Sequence, residues 1–440
     1  MMMRGANRIA AAIVLLAAAS SLPAQDASTS KRVIRLEDPH AAQLQQLAAA
    51  AQSALDRKDF AAAADAYQKY LAIKPNEPTI HFDLGYTYSA LGRPADARLE
   101  FQKAIDLDPN MAEAYASLGL ILIDSDPPAA VAPLTKLSQL QPDQARSHFL
   151  LGLAFERSGK SLDAISNYQD ALKLDPKDFD AHFALARVLL AAHRAVEAEI
   201  EFRAAKSLEP TDPDVLLGIA ESLEAQIKTE EAAEAYAAYL DVKPADAPAR
   251  IHRAALLLNL KQYDAAAAEL DRAAKPGPES APSLKMRAQI DFATNQYAKA
   301  VPVLQKAIAL DPNDSNLPAL LGHAYFESKD YPHAADALIA ALRMNPQSTD
   351  VLTELTAALF LNKNYPATLH GLELLEKRQP LDAPQWFIRA VCYDKLGYAP
   401  QALDAYKKFL QVNTDLNSDS YFEAAARVRT LTREVEEKRK

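Results

Sequence analysis

Ten prolines cut most of this chain into lengths that hardly vary. Pro75, Pro109, Pro142, Pro176, Pro210, Pro244, Pro278, Pro312, Pro346 and Pro380 follow at intervals of 34 residues, with one interval of 33 between Pro109 and Pro142. A further step of 34 from Pro380 lands on Thr414, in FLQVNTD, where the proline is lost but the surrounding pattern persists. Such a period means a linear stack, in which each short unit buries its apolar face against its neighbours. The short interval is a one-residue deletion between Ile123 and Ala129, because Gly85 and Gly119 remain 34 apart. It falls in the turn DSDPP, where a connection tolerates it.

A unit that begins at Pro78 and carries Pro109 at position 32 shows what recurs. Position 8 is Ala51, Gly85, Gly119, Gly152, Ala186, Ala220, Ala254, Ala288, Gly322, Thr356 and Ala390. Position 20 is alanine in every unit except the tenth, which has Thr368. Position 27 is alanine at Ala104, Ala171, Ala205, Ala273, Ala307 and Ala341. Position 24 is large: Tyr67, Phe101, Leu134, Tyr168, Phe202, Tyr236, Leu270, Leu304, Leu338, Leu372 and Tyr406. Two helices approach to about 8 Å only where the contact residues are small, and a bulky neighbour then fills the space beside them. Gly92, Gly159 and Gly397 at position 15 end the first helix in a left-handed conformation. The proline stops the second helix and turns the chain into the next unit.

The period, the small residues at 8, 20 and 27, the aromatic at 24 and the proline at 32 resemble the tetratricopeptide repeat family. Trp386 and Tyr115 stand at position 4, where that family favours Trp. The resemblance covers residues 44–414, eleven units; armadillo and HEAT repeats have a longer period. It implies an all-α fold, a right-handed superhelical solenoid of about eleven helix–turn–helix repeats with a C-terminal capping helix. The tenth unit departs most, with Thr356 and Thr368 in both close-contact slots.

Composition agrees. Alanine runs abound, glycine is scarce and β-branched alternation is absent, as in an all-helical chain. At 440 residues an ordinary chain would hold two or three domains, but a stack is open-ended. The net charge of −10 is spread with both signs interspersed, which argues against nucleic acid as a partner. The lone Cys392 lies in a helical pattern and reads as a small core hydrophobe.

Residues 1–24 read as a removable secretory signal: Arg4 and Arg8 precede the apolar run Ile9–Ala19, which is too short to span a bilayer. Cleavage is expected after Ala24, with Ser21 as the second choice, taking the formal charge from −10 to −12. No cysteine stands nearby for a lipid anchor, so a periplasmic or secreted protein without stable membrane insertion is expected. Residues 25–41 form a polar leader, 42–414 the solenoid and 415–440 the cap, with Tyr421, Phe422 and Ala425 covering the last unit. The second helices of units one, six and eleven are alike, placing Tyr70, Tyr239 and Phe409 at position 27.

Little of the chain is left for chemistry. Gly159-Lys160-Ser161 imitates the end of a phosphate loop, but the earlier glycine is Ala154 and no strand precedes it. HExxH, GxSxG and GxGxxG are absent, so no catalytic residue, cofactor or metal is expected. His81, His148 and His182 share position 4 in different units; roughly 10 Å apart, they suit packing rather than one zinc.

In the family resembled, positions 2, 5, 9, 12 and 13 of the first helices line a concave groove. Here they carry Phe82, Tyr86, Phe149, Phe183 and Phe387, and a row at strict period: Phe292, Phe326 and Phe360. Arg146, Glu156, Arg157, Asp180, Arg187, Asp214, Glu221 and Glu224 stand beside them. Exposed aromatics flanked by charge suit a peptide or helix anchor site. The position-5 rings read equally well as packed between first helices, whereas the row of three reads as exposed. The expectation is an exported, non-enzymatic interaction scaffold for a protein or peptide whose identity the sequence does not give. The alternative is a structural part of an envelope assembly, joined through its convex face or its ends.

Overall fold

A computed structural model describes residues 40–275 and 279–437; the expected signal, almost all of the expected leader, and Pro278 lie outside them. The described residues hold 23 α-helices and no strand. Residues up to Lys228 form one compact unit and those from Thr229 a second.

In the first unit the helices are α1 (Ala41–Asp56), α2 (Phe60–Ile73), α3 (Pro78–Ala90), α4 (Pro94–Leu107), α5 (Ala112–Ser125) and α6 (Pro127–Leu140). They continue as α7 (Ala145–Arg157), α8 (Ser161–Leu174), α9 (Phe179–Ala191), α10 (Ala195–Leu208) and α11 (Pro213–Ala225). The second unit runs through α12 (Thr229–Val242), α13 (Ala247–Asn259), α14 (Tyr263–Ala273), α15 (Ala281–Ala293), α16 (Tyr297–Leu310) and α17 (Asn316–Glu327). It closes with α18 (Tyr331–Met344), α19 (Thr349–Leu361), α20 (Tyr365–Glu376), α21 (Ala383–Lys395), α22 (Ala399–Val412) and α23 (Asp419–Glu437).

The repeat pattern maps directly onto burial. Every position-20 alanine is fully buried, and every position-24 side chain is buried. The glycines of position 8 lie under those side chains. A Cβ at Gly85, Gly152 or Gly322 would come within 2.8, 2.7 or 2.5 Å of Phe101, Tyr168 or Leu338. At Gly119 it would meet Leu134 at 2.3 Å. Ala186, at the same position, is fully buried. So the small residue of the first helix makes room for a ring or leucine of the second, and not only for a close backbone approach.

Local chemistry fixes the helix ends. Asp59, Asp126, Asp178, Asp212, Asp246, Ser280, Asp330, Ser348, Asn364 and Asp382 accept hydrogen bonds from backbone amides of the first turn they precede. Position 15 is left-handed at Gly92, Gly159 and Gly397, as the sequence implies. It is equally so at Lys58, His193, Ile227, Lys261, Asn295, Lys329 and Lys363, with φ between 56° and 64°. The deletion behaves differently: Asp126 alone joins α5 to α6, capping one helix and starting the next.

Two expectations change. In the tenth repeat, Thr356 and Thr368 are buried yet satisfied, each hydroxyl donating to a carbonyl one turn back at 2.7 and 2.9 Å. Gly371 supplies the missing space, since a Cβ there would meet Thr356 Oγ1 at 2.5 Å. In the cap, Ala424 and Leu431 cover the last repeat with Val428 and Val435, while Phe422 stays 58% exposed. The helix presents the 424–428–431–435 stripe, so Phe422 falls on the solvent side and Tyr421 and Ala425 are only half-buried. Arg427 adds two bonds of 2.6 Å to Asp394.

Candidate binding face on the first helices

Each predicted anchor phenylalanine packs on an aromatic partner. At position 5, Phe82 meets Phe101 at 5.6 Å, Phe149 meets Tyr168 at 5.6 Å, Phe183 meets Phe202 at 6.0 Å and Phe387 meets Tyr406 at 6.1 Å. These are contacts of position 5 with position 24 in the same repeat. Phe149 is only 6% exposed and belongs to the core, not to a surface. Phe82, Phe183 and Phe387 are half-buried, and so is Tyr86 at position 9.

The row at position 12 has its own rule. Phe292, Phe326 and Phe360 pack on Tyr297, Tyr331 and Tyr365, the tyrosines that open the following helix, at 5.8, 5.7 and 6.5 Å. All three phenylalanines are half-buried rather than exposed, because each turn folds its tyrosine back over the ring. His323 sits 5.6 Å from Phe292 and bonds Glu354 at 2.6 Å, tying three successive first helices together. The tyrosines were missed in the sequence, although their strict recurrence five residues after each phenylalanine could have revealed them.

Charge follows a similar rule. Glu156 at position 12 of α7 accepts the Tyr168 hydroxyl at 2.6 Å and, at 3.1 Å, the guanidinium of Arg187 on α9. Burial, aided by the Glu156 charge, pushes the Tyr168 hydroxyl well above its ordinary range. Arg187 also lies over the Phe183 ring at 5.8 Å, and Arg146 over Phe149 at 5.3 Å. Arg157 is exposed at the end of α7. On α3, burial holds the Asp83 carboxyl up at about 6, against the lowering hydrogen bond from Tyr67.

A pocket of about 310 Å³ opens between α9 and α11, with Phe183, Leu190, Ala191 and Phe202 on one side. Arg187, Asp214, Gly218 and Glu221 complete it. Of the residues expected to bind, Phe183 and Arg187 are brought together here, while Phe82, Tyr86, Phe292, Phe326, Phe360 and Phe387 lie elsewhere along the stack.

The position-4 histidines do a different job. His81 bridges Glu100 at 2.6 Å and the Pro75 carbonyl at 2.7 Å; His182 bridges Glu201 at 2.6 Å and the Pro176 carbonyl at 3.1 Å. His148 reaches the Pro142 carbonyl at 2.8 Å. They tie each first helix to the turn that precedes it. Among the described residues there is no cluster of His, Cys, Asp and Glu fit to hold a metal ion, and no helix long and apolar enough to cross a membrane. Cys392 is fully buried, and burial pushes its thiol up to about 12.

Comparison with known proteins adds the following. Family models described as tetratricopeptide repeat match residues 54–121, 149–213, 217–281 and 291–359, well over half of the chain. The small glutamine-rich tetratricopeptide repeat-containing protein 2 of Mycosarcoma maydis is 30% identical over 135 residues, a stretch that spans 30% of this chain and 38% of that relative's length. Among solved structures, MamA of Desulfovibrio magneticus RS-1 is 23% identical, covering 39% of this chain and 97% of its own, with a TM-score of 0.37. YrrB, described as a TPR protein with an unusual peptide-binding site, is 20% identical over 46% of this chain and 100% of its own, TM-score 0.39. Yeast Tom70 is 14% identical over 90% of this chain and 97% of its own, TM-score 0.32.

Proposed function

The chain belongs to the tetratricopeptide repeat family, whose members generally mediate protein–protein interactions, and from that premise we propose an exported, non-enzymatic scaffold holding a peptide or helical segment in its concave groove. The supporting observation is the pocket of about 310 Å³ between α9 and α11, which joins an aromatic floor to charged walls on two successive first helices. Apolar contact there would supply affinity, while Arg187, Asp214 and Glu221 would set orientation and reject wrong partners. Export rests on Arg4, Arg8 and the apolar run Ile9–Ala19, and N-terminal sequencing of the secreted product tests it.

A second reading is favoured by one observation. Leu162 on α8, and Val196 and Ile200 on α10, are 77%, 59% and 60% exposed, which suits assembly through the second helices. One experiment separates the two. The full chain carries a photo-crosslinking amino acid at Leu190 or at Ile200 and is exposed to a random peptide library. Adducts at 190 are expected; adducts confined to 200 would move the function to the outer face.

A further inference from the structure

Resting on the reading that this face binds peptides, we propose that the pocket between α9 and α11 seats one long basic side chain of the bound segment, an arginine or a lysine. Its volume of about 310 Å³ stands at the bottom of the range of about 300–1,000 Å³ over which pockets take small ligands, enough for one side chain. The floor is apolar. Phe183 and Phe202 meet edge to face at 6.0 Å, and Leu190 extends that surface. Gly218 keeps it open, since a Cβ there would stand 2.3 Å from the Phe202 ring.

The walls choose the charge. Asp214, Gly218 and Glu221 follow one another at the spacing of a single helix stripe, so both carboxylates stand over the same opening. Arg187 faces them from α9, but its guanidinium is held at 3.1 Å by Glu156, a third carboxylate. Two carboxylates line the opening against one guanidinium, which Glu156 also faces, so an incoming anion is repelled. A lysine or arginine instead lays its methylene stem against Phe183 and Leu190 and its head between Asp214 and Glu221.

The test pans a displayed random decapeptide library on the full chain and on the Asp214→Asn/Glu221→Gln variant, whose melting is checked against the parent. The parent should enrich Arg or Lys at one fixed position, and the double variant should lose that preference while keeping its others. Replacing that basic residue by norleucine in a selected peptide should weaken binding to the parent about tenfold and leave binding to the variant unchanged. Ala191→Phe, which fills the pocket without touching a carboxylate, should lose the same preference. Enriched peptides without a fixed basic residue, or the same basic preference on the double variant, would overturn the proposal and leave groove binding standing. If neither protein enriches any sequence, peptide binding on this face falls, and the proposal with it.

Discussion

Arg250 on α13 donates to Glu269 on α14 at 2.5 Å, and that carboxylate is only 3% exposed. Arg253 and Arg272 reach the same Glu269 at 2.7 and 2.8 Å, while Arg250 turns its remaining donors to the Pro244 carbonyl at 2.7 and 3.1 Å. The geometry repeats that of His81 with Glu100 and Pro75, and of His182 with Glu201 and Pro176. One side chain at position 4 thus pins a first helix to its own second helix and to the preceding turn.

The two partners of this pair should not cost the same. Glu269→Leu strands a buried guanidinium and should cost about 3–5 kcal/mol. Arg250→Met leaves Glu269 with two arginines and should cost less, about 1–3 kcal/mol. Urea titration of both variants gives the ranking, and a reversed order would mean that Arg253 and Arg272 contribute nothing.

His182 should make stability depend on pH. Both its ring nitrogens face acceptors, and the hydrogen bond to Glu201, opposed by burial, raises its pKa above the ordinary 6.5. A raised folded value means that the stabilisation is complete below 6.5 and fades as pH climbs through the folded pKa. The stability gap between the parent and His182→Phe should therefore narrow on the alkaline side. An NMR titration of the His182 ring with a midpoint at or below 6.5 would contradict this.

Gly152→Leu should force a branched side chain into the Tyr168 ring, which an added Cβ would already approach to 2.7 Å. The expected cost is about 1–3 kcal/mol. Stability in a stack is summed over neighbours, so lost hydrogen-exchange protection should centre on α7 and α8. Uniform loss along the chain is the result that would defeat this.

Ile227 holds a left-handed backbone, φ 61°, with its side chain in solvent. A β-branched residue is disfavoured there by roughly 1–2 kcal/mol relative to a conformation it prefers. Ile227→Gly should raise stability by about 1 kcal/mol, less what the looser unfolded chain takes back. A lower denaturation midpoint would mean that the side chain stabilises in a way its exposure conceals.

The period of 34, the small slots and the large residue at position 24 were readable because each is a property of one unit, repeated. The same spacing placed the deletion between Ile123 and Ala129, where Asp126 alone joins two helices, and the helical pattern placed Cys392 in the core. The spacing that places a side chain on the first-helix face says nothing of what folds over it. Phe149 went into the core on Tyr168, and Phe326 was half-covered by Tyr331, because contacts between helices decide how much of a ring remains in water.

By itself, then, the sequence determined the repeat, its helix pairs and the faces they bury, since these follow from helical periodicity and residue size. Only the tertiary structure decided that Glu156 would occupy Arg187 while Asp214 and Glu221 face the opening beside Phe183. Those residues come from three helices in three repeats, and their meeting depends on how successive first helices are set against one another, a quantity no single unit encodes.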